Sequence, residues 1–265
     1  MTRKEAERWG VQVLPMLYSI QSMPLSEGYL DENGRFCELL QKNARNAHTS
    51  QVRMSAFMGA FNELLRKGTK AILCITISSR LSGTYSNAVI AARELGGAKI
   101  VVVDSLSTAA GMRFLVKKAV ELSREGVDIE QAADILEGMR EKIGTVLSVD
   151  DMDALRRSGR LGLVRQSVGT ILNIRPVLYC KHGTVVAGQQ VRGQSGQISG
   201  LVKAVPANAK YIEILSVMEK PALELLEKAL RARFSCSIHQ SLIGPVLAIH
   251  IGLSAIGIAW MTEDE

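Results

Sequence analysis

The chain has 265 residues, 47% hydrophobic, 5% aromatic and 22% charged, with a formal net charge of +6. That length suits one large or two modest domains around an aliphatic core, and the composition excludes a disordered chain. No apolar run reaches the roughly 18 residues of a bilayer span, and the charged start Met1–Gly10 lacks the apolar segment of a secretory signal, so a cytoplasmic protein without an integral membrane segment is expected.

In chain order, a short helix leads into a β-prone run from Val11 to Ile20, and residues 21–51 are mixed and turn-rich. They close on a polar cluster, His48-Thr49-Ser50-Gln51, which reads either as a helix N-cap or as part of a site. Met54, Phe57, Met58, Phe61, Leu64 and Leu65 recur at helical spacing up to Lys67-Gly68, a stripe that is core packing more often than a ligand wall. The apolar run Ala71–Ile77 predicts a buried strand, and Tyr85–Leu95 a helix. The loop between them, Ser78-Ser79-Arg80-Leu81-Ser82-Gly83-Thr84, holds four hydroxyl side chains and a glycine. A loop at the carboxyl end of a parallel strand that opens a helix is a natural ligand position, with free backbone N–H groups and the positive end of a helix dipole. Helix capping alone needs one hydroxyl, not four.

Lys99–Asp104 predicts a second buried strand, Ser107 an N-cap for a helix over 108–124, and 129–142 a further helix. This β-α-β-α alternation argues for a parallel sheet covered by helices. A new strand runs from Thr145 to Val149, and Asp151 is placed as the cap of a short helix that Gly159 stops. Ile174–Cys180 and Thr184–Val191 read as two strands joined by a short turn, followed by a polar stretch entering a helix. Tyr211–Val217 is a strand and Pro221–Arg233 a helix. Ser235–Ile243, Val246–His250 and Ile256–Trp260 are assigned as strands completing a mixed sheet. The expected fold is α/β with two domains. Residues 1–147 form a three-layer α/β/α domain on a parallel sheet, and residues 148–265 form a two-layer α/β domain on a mixed sheet.

The charge is unevenly spread. Between Ala154 and Ile212 there is no Asp or Glu but nine Arg and Lys residues, which leaves −3 for everything else. Such a block creates a positive surface field. It suits a plain solvated surface, a dock for an acidic protein or a phosphate group, or nucleic acid, although no aromatics interleave the charges as nucleic-acid binding favours. Cys37, Cys74, Cys180 and Cys236 are scattered and read as small buried hydrophobes, and the four histidines show no metal-binding spacing, so neither metal nor cofactor is expected. The chain has no GxxxxGK[ST] loop, no GxGxxG after a strand and no GxSxG. A third polar cluster is Gly244–Gly252, where His250 ends an apolar run; a lone histidine there is usually structural.

Taken together, these clusters resemble the DegV family of bacterial fatty-acid-binding proteins. The family's TSQ-type segment appears as Thr49-Ser50-Gln51, and its SSxLSGTY loop as Ser78-Ser79-Arg80-Leu81-Ser82-Gly83-Thr84-Tyr85. Its strand ending in Asp-Ser appears as Val103-Asp104-Ser105, and its GGRIG-like turn as Ser158-Gly159-Arg160-Leu161-Gly162. The basic-Pro strand start appears as Asn173-Ile174-Arg175-Pro176, and the last motif spans Gly244 to Gly257. The order matches over nearly the whole chain.

The resemblance implies a long-chain fatty acid held near a domain junction, with Thr49, Ser82 and His250 as carboxylate contacts and Ser78, Ser79, Gly83 and Thr84 beside them. The Met54–Leu65 helix and the Leu115–Val120 face would wall the acyl tail. One branch of the family presents its fatty acid to a separate ATP-binding kinase subunit. On that pattern Arg160, Arg175 and Arg192 are the residues for partner docking or phosphate handling, and the chain itself is not the kinase. Two alternatives remain, a hydrolase with Ser82 as nucleophile and His250 as base, and a basic regulatory module. The sequence also departs from the pattern. The family's opening strand, ending in Asp-Ser-Thr and central to its sheet, has no counterpart, so a truncated or misassigned start and a sheet with a gap or bare edge are expected. Ile251, Leu253 and Ser254 replace a more polar Gly/Pro-rich run, and Arg192-Gly193-Gln194-Ser195 replaces a basic one.

Overall fold

The computed structural model describes residues 1–150, 152–160 and 173–262. Its elements run α1 (Arg3–Trp9), β1 (Leu17–Ile20), β2 (Met23–Ser26), α2 (Phe36–Asn43), β3 (Ala47–Ser50), α3 (Met54–Arg66), β4 (Ala71–Thr76), α4 (Thr84–Glu94), β5 (Lys99–Asp104), α5 (Ala109–Arg124), α6 (Ile129–Met139) and β6 (Ile143–Ser148). They continue with α7 (Asp153–Ser158), β7 (Ile174–Lys181), β8 (Thr184–Arg192), α8 (Gly193–Ala204), β9 (Ala209–Ser216), α9 (Pro221–Arg231), β10 (Ser237–Leu242), α10 (Pro245–Ile251) and β11 (Ile256–Thr262).

The fold is α/β. β4 and β5 pair in parallel, Ala71 opposite Lys99 through Thr76 opposite Asp104. Strand side chains alternate between faces, and here each face meets its own helical layer. Ile72, Cys74, Ile100 and Val102 pack on α3 and α4 through Phe57, Phe61, Ala88 and Ala91. Leu73, Ile75, Val101 and Val103 pack on α5 and α6 through Leu115, Leu122 and Leu136. The result is the expected three-layer arrangement on a parallel pair of strands. Among the described residues β4 has no partner on its other edge.

A six-stranded mixed sheet has the order β10-β9-β11-β6-β7-β8. Only β10 and β9 are parallel; the remaining neighbours are antiparallel. Val146, Val177, Ile212, Ile214, Ile256 and Ile258 face α8 and α9. Their neighbours Leu147, Leu178, Leu215 and Ala259 face a second cluster shared with α2, α7, α10 and β1. The turn-rich stretch before α3 folds into a small antiparallel sheet, β2-β1-β3.

Three local expectations change. Val246–His250 is not a strand but most of helix α10. Gly244 is extended and Pro245 occupies the first turn, where its missing N–H and fixed φ favour a helix, and a short apolar run has no periodicity to separate the two forms. Ser107 is not the cap of α5. The N-cap is Thr108, without a side-chain bond, while the Ser107 carbonyl accepts the Ser78 N–H at 2.9 Å. His48–Gln51 caps no helix either, because Ala47–Ser50 is β3 and the N-cap of α3 is Arg53. The expected cap Asp151 lies outside the described residues.

The four cysteines are free and partly buried, and burial pushes the Cys74 thiol up to about 12 and the Cys180 thiol up to about 11. Among the described residues no helix is long and apolar enough to cross a membrane.

Candidate functional site

Two hydrogen-bonded pairs of polar side chains are carried by β3, α10 and the β4–α4 loop with the start of α4. β3 alternates, so Thr49 is partly buried while His48 and Ser50 are exposed. Thr49 Oγ1 lies 2.8 Å from Nε2 of His250 on α10. The other ring nitrogen, Nδ1, is buried and has no partner among the described residues. Burial, reinforced by the nearby charge of Arg160, pushes His250 down to about 4, so its imidazole is neutral at pH 7. A neutral imidazole has one N–H and a threonine one O–H. Only one of these protons is used between them. With Nε2 protonated the ring donates to Thr49 and the threonine O–H is left for an outside acceptor, whereas with Nδ1 protonated the spare proton sits on the buried ring nitrogen.

The second pair repeats this arithmetic. Ser82 Oγ and Thr84 Oγ1 are 2.9 Å apart and share one proton, so one O–H remains. Their remaining contacts bring donors to them rather than taking protons from them. Ser82 Oγ accepts the Thr84 N–H at 3.3 Å, and Thr84 Oγ1 accepts the Val52 N–H at 3.3 Å. Both pairs hang on one short segment. Val52 follows Thr49 by three residues, and Asn87 Nδ2 on α4 donates to the Val52 carbonyl at 2.8 Å. Gly83 lies so close to Gln51 that a Cβ there would sit 2.1 Å from Gln51 Oε1. The glycine lets the segment after β3 close over the start of α4.

The loop is fixed from behind by Asp104, at the end of β5. One carboxylate oxygen accepts the Ser79 N–H at 3.1 Å and the Leu106 N–H at 3.0 Å. The Ser79 side chain is exposed. Ser78 is fully buried, and its Oγ donates to the Gly183 carbonyl at 2.8 Å.

Thr84 and Val52 also border a cavity of about 1100 Å³. Phe57, Ala60, Phe61 and Leu64 of α3 line it, as do Val116, Ala119 and Val120 of α5 and Val246 and Leu247 of α10. Both expected walls therefore face it, although Met54, Met58 and Leu115 do not, and Leu115 is wholly buried in the core. Every residue from Ala71 to Ile77 borders it. Successive strand residues point to opposite faces, so the cavity runs along the open edge of β4 rather than over one face. Glu27, against the start of α10, is a polar group in the wall. Burial pushes its carboxyl up to about 7, although the Val246 N–H donates to it.

The three arginines differ in their partners and exposure. The Arg175 guanidinium is held by Asp150, 3.2 Å from Nε, and by Gln197 Oε1 at 2.7 Å, and Gln197 in turn donates to Ser148 Oγ at 3.1 Å. Arg192 is exposed at the start of α8, across the ladder from Ile174. Arg160 is exposed after α7, with its guanidinium on the Ser158 carbonyl at 2.5 Å. Leu161, Gly162 and Arg165 of the basic block lie outside the described residues. Asp104, Val52, Asn87 and Gly183 escape a reading of sequence because each acts on a partner 25 or more positions away. Only the Asp-Ser ending of β5 gave a cue.

The profile of the DegV family, described as uncharacterised proteins, matches residues 1–263. The chain belongs to the DegV family. A DegV domain-containing protein of Halalkalibacterium halodurans is 27% identical over 98% of this chain and 94% of its own length. Among solved structures, a Thermus thermophilus DegV family protein described by its fatty acid binding is 28% identical, with a TM-score of 0.89 over 99% of this chain and 96% of that one. A Thermotoga maritima DegV lipid-binding protein, 21% identical, superposes with a TM-score of 0.90 over 100% of this chain and 95% of its own, and shares the fold.

Proposed function

We propose that this DegV protein binds a long-chain fatty acid, with the carboxylate at Thr49, Ser82 and His250. The observation that carries the reading is the pair of spare donors. Thr49–His250 and Ser82–Thr84 each keep one proton, both are tied to the segment 49–52, and Thr84 of the second pair borders a largely apolar cavity. A carboxylate leaving water needs several donors, and bonds to a charged acceptor are the strong ones. The start of α4 adds the positive end of a helix dipole. The fatty acid binding described for the Thermus thermophilus relative supports the same ligand class. In the hydrolase alternative Ser82 would bond His250, yet Ser82 is engaged with Thr84 and His250 with Thr49.

The bound acid is then presented to a separate ATP-dependent kinase. Arg160 and Arg192, both exposed, supply charge for docking or phosphate handling, whereas Arg175 is committed to Asp150 and Gln197. The test compares hexadecanoate with hexadecanol by displacement of a fluorescent fatty acid. The acid binds at least about tenfold more tightly than the alcohol, as expected for one to two charge-assisted hydrogen bonds, and Ser82→Ala narrows the gap. Equal affinity for acid and alcohol would refute the carboxylate assignment.

A further inference from the structure

Ser78 opens the hydroxyl-rich loop, and its chemistry differs from that of its neighbours. A serine hydroxyl has one proton to give. Ser78 gives it to the Gly183 carbonyl at 2.8 Å, and its oxygen accepts the Arg80 N–H at 3.2 Å. The side chain is 0% exposed. Nothing is left for a ligand carboxylate.

Gly183 belongs to another part of the fold. With His182 it forms the two-residue turn joining β7 and β8, and the two residues have φ of 81° and 47°. Positive φ at both positions marks the turn type that matches hairpin twist and favours glycine second. The tip sits flush on the loop. A Cβ at Gly183 would lie 2.4 Å from Ser78 Oγ and 3.0 Å from Leu106 Cδ2. Ser78 in turn governs Ser82, because its carbonyl accepts the N–H groups of Leu81 at 3.0 Å and Ser82 at 3.1 Å.

We propose that the β7–β8 turn is a latch on the carboxylate loop, with Gly183 and Ser78 as positioning residues that set where Ser82 presents its hydroxyl. The hairpin lies in the mixed sheet and the loop follows the parallel pair of strands, so the latch makes recognition of the ligand headgroup depend on how these two sheets are seated. The proposal rests on the carboxylate reading given above.

The test measures hexadecanoate and hexadecanol affinity for Ser78→Ala, Gly183→Ala, the double variant and Ser82→Ala, alongside thermal unfolding. Gly183→Ala drives a methyl group into Ser78 Oγ and weakens hexadecanoate about tenfold, Ser78→Ala weakens it several-fold, and hexadecanol is unchanged in both. The double variant relieves the collision and binds hexadecanoate more tightly than Gly183→Ala alone. A structural lesion without a positioning role would lower acid and alcohol together. The mild Ser78→Ala variant keeps the test decisive if Gly183→Ala fails to fold. Wild-type hexadecanoate affinity in Ser78→Ala, with binding lost in Ser82→Ala, overturns the latch and leaves the carboxylate site standing. Wild-type affinity in Ser82→Ala as well overturns both.

Discussion

His250 is the residue on which the proposed site turns, and its ionisation is the property most open to measurement. Desolvation dominates, with Arg160 adding to it, so the ring stays neutral well below its ordinary value of 6.5. In the ligand-free protein its ring resonances should stay flat from pH 8 to pH 5.5 and move only near pH 4; a midpoint near 6.5 would contradict a buried neutral ring. Thr49, Ser82 and His250 stand out in the sequence as candidates because each sits in a short motif whose residue types suit the proposed chemistry. Gly83 was legible as part of a loop but not for its reason, which is the Gln51 side chain lying against it. Asp104 and Gly183 were not legible as supports. Their partners stand 25 and 105 positions away, and no local pattern in a single sequence encodes a contact across that distance.

At the scale of elements, α10 shows where local reading fails. Val246–His250 is apolar enough to be a strand, and Gly244-Pro245 decides for a helix. The helical form puts His250 on β3 and sets the Val246 N–H against Glu27. Glu27 and His250 then pull stability in opposite directions. The Glu27 carboxyl is raised to about 7 from 4.5, so the folded state holds its proton longer than the unfolded state, and stability falls as pH rises from about 4.5 to 7. His250 is lowered, so its contribution is present above 6.5 and is lost as pH falls toward about 4. Glu27→Gln removes the first effect alone. Its melting temperature relative to the parent should rise between pH 5 and pH 8; a difference independent of pH would show that Glu27 is ionised in the fold throughout. The long periodic helices α3, α5 and α9 were readable because an amphipathic stripe over three or more turns is unambiguous. The hairpin of β1 and β2 was not, since two four-residue strands joined through Gln21-Ser22 leave no periodic signal.

Among the described residues the molecule joins a two-stranded parallel sheet, a three-stranded antiparallel one and a six-stranded mixed one, and the proposed site draws on β3, the β4–α4 loop and α10. The α/β class and the sandwiching of β4 and β5 between helices followed from alternating strand and helix signals. The open edge of β4 was expected from the resemblance, whereas the cavity along that edge emerges only in three dimensions. If the acyl tail occupies this cavity, filling it at α5 should select by length. Val116→Trp should weaken hexadecanoate about tenfold more than octanoate, through overpacking at the wall. Equal losses for both chain lengths would place the tail elsewhere. The most direct test of the central claim is native mass spectrometry of the protein purified from bacteria, with organic extraction of the same sample. The account predicts a stoichiometric adduct that extraction identifies as a C16–C18 fatty acid, and that Ser82→Ala and His250→Ala each diminish. A protein that is always empty and takes up no such acid when it is supplied would contradict it.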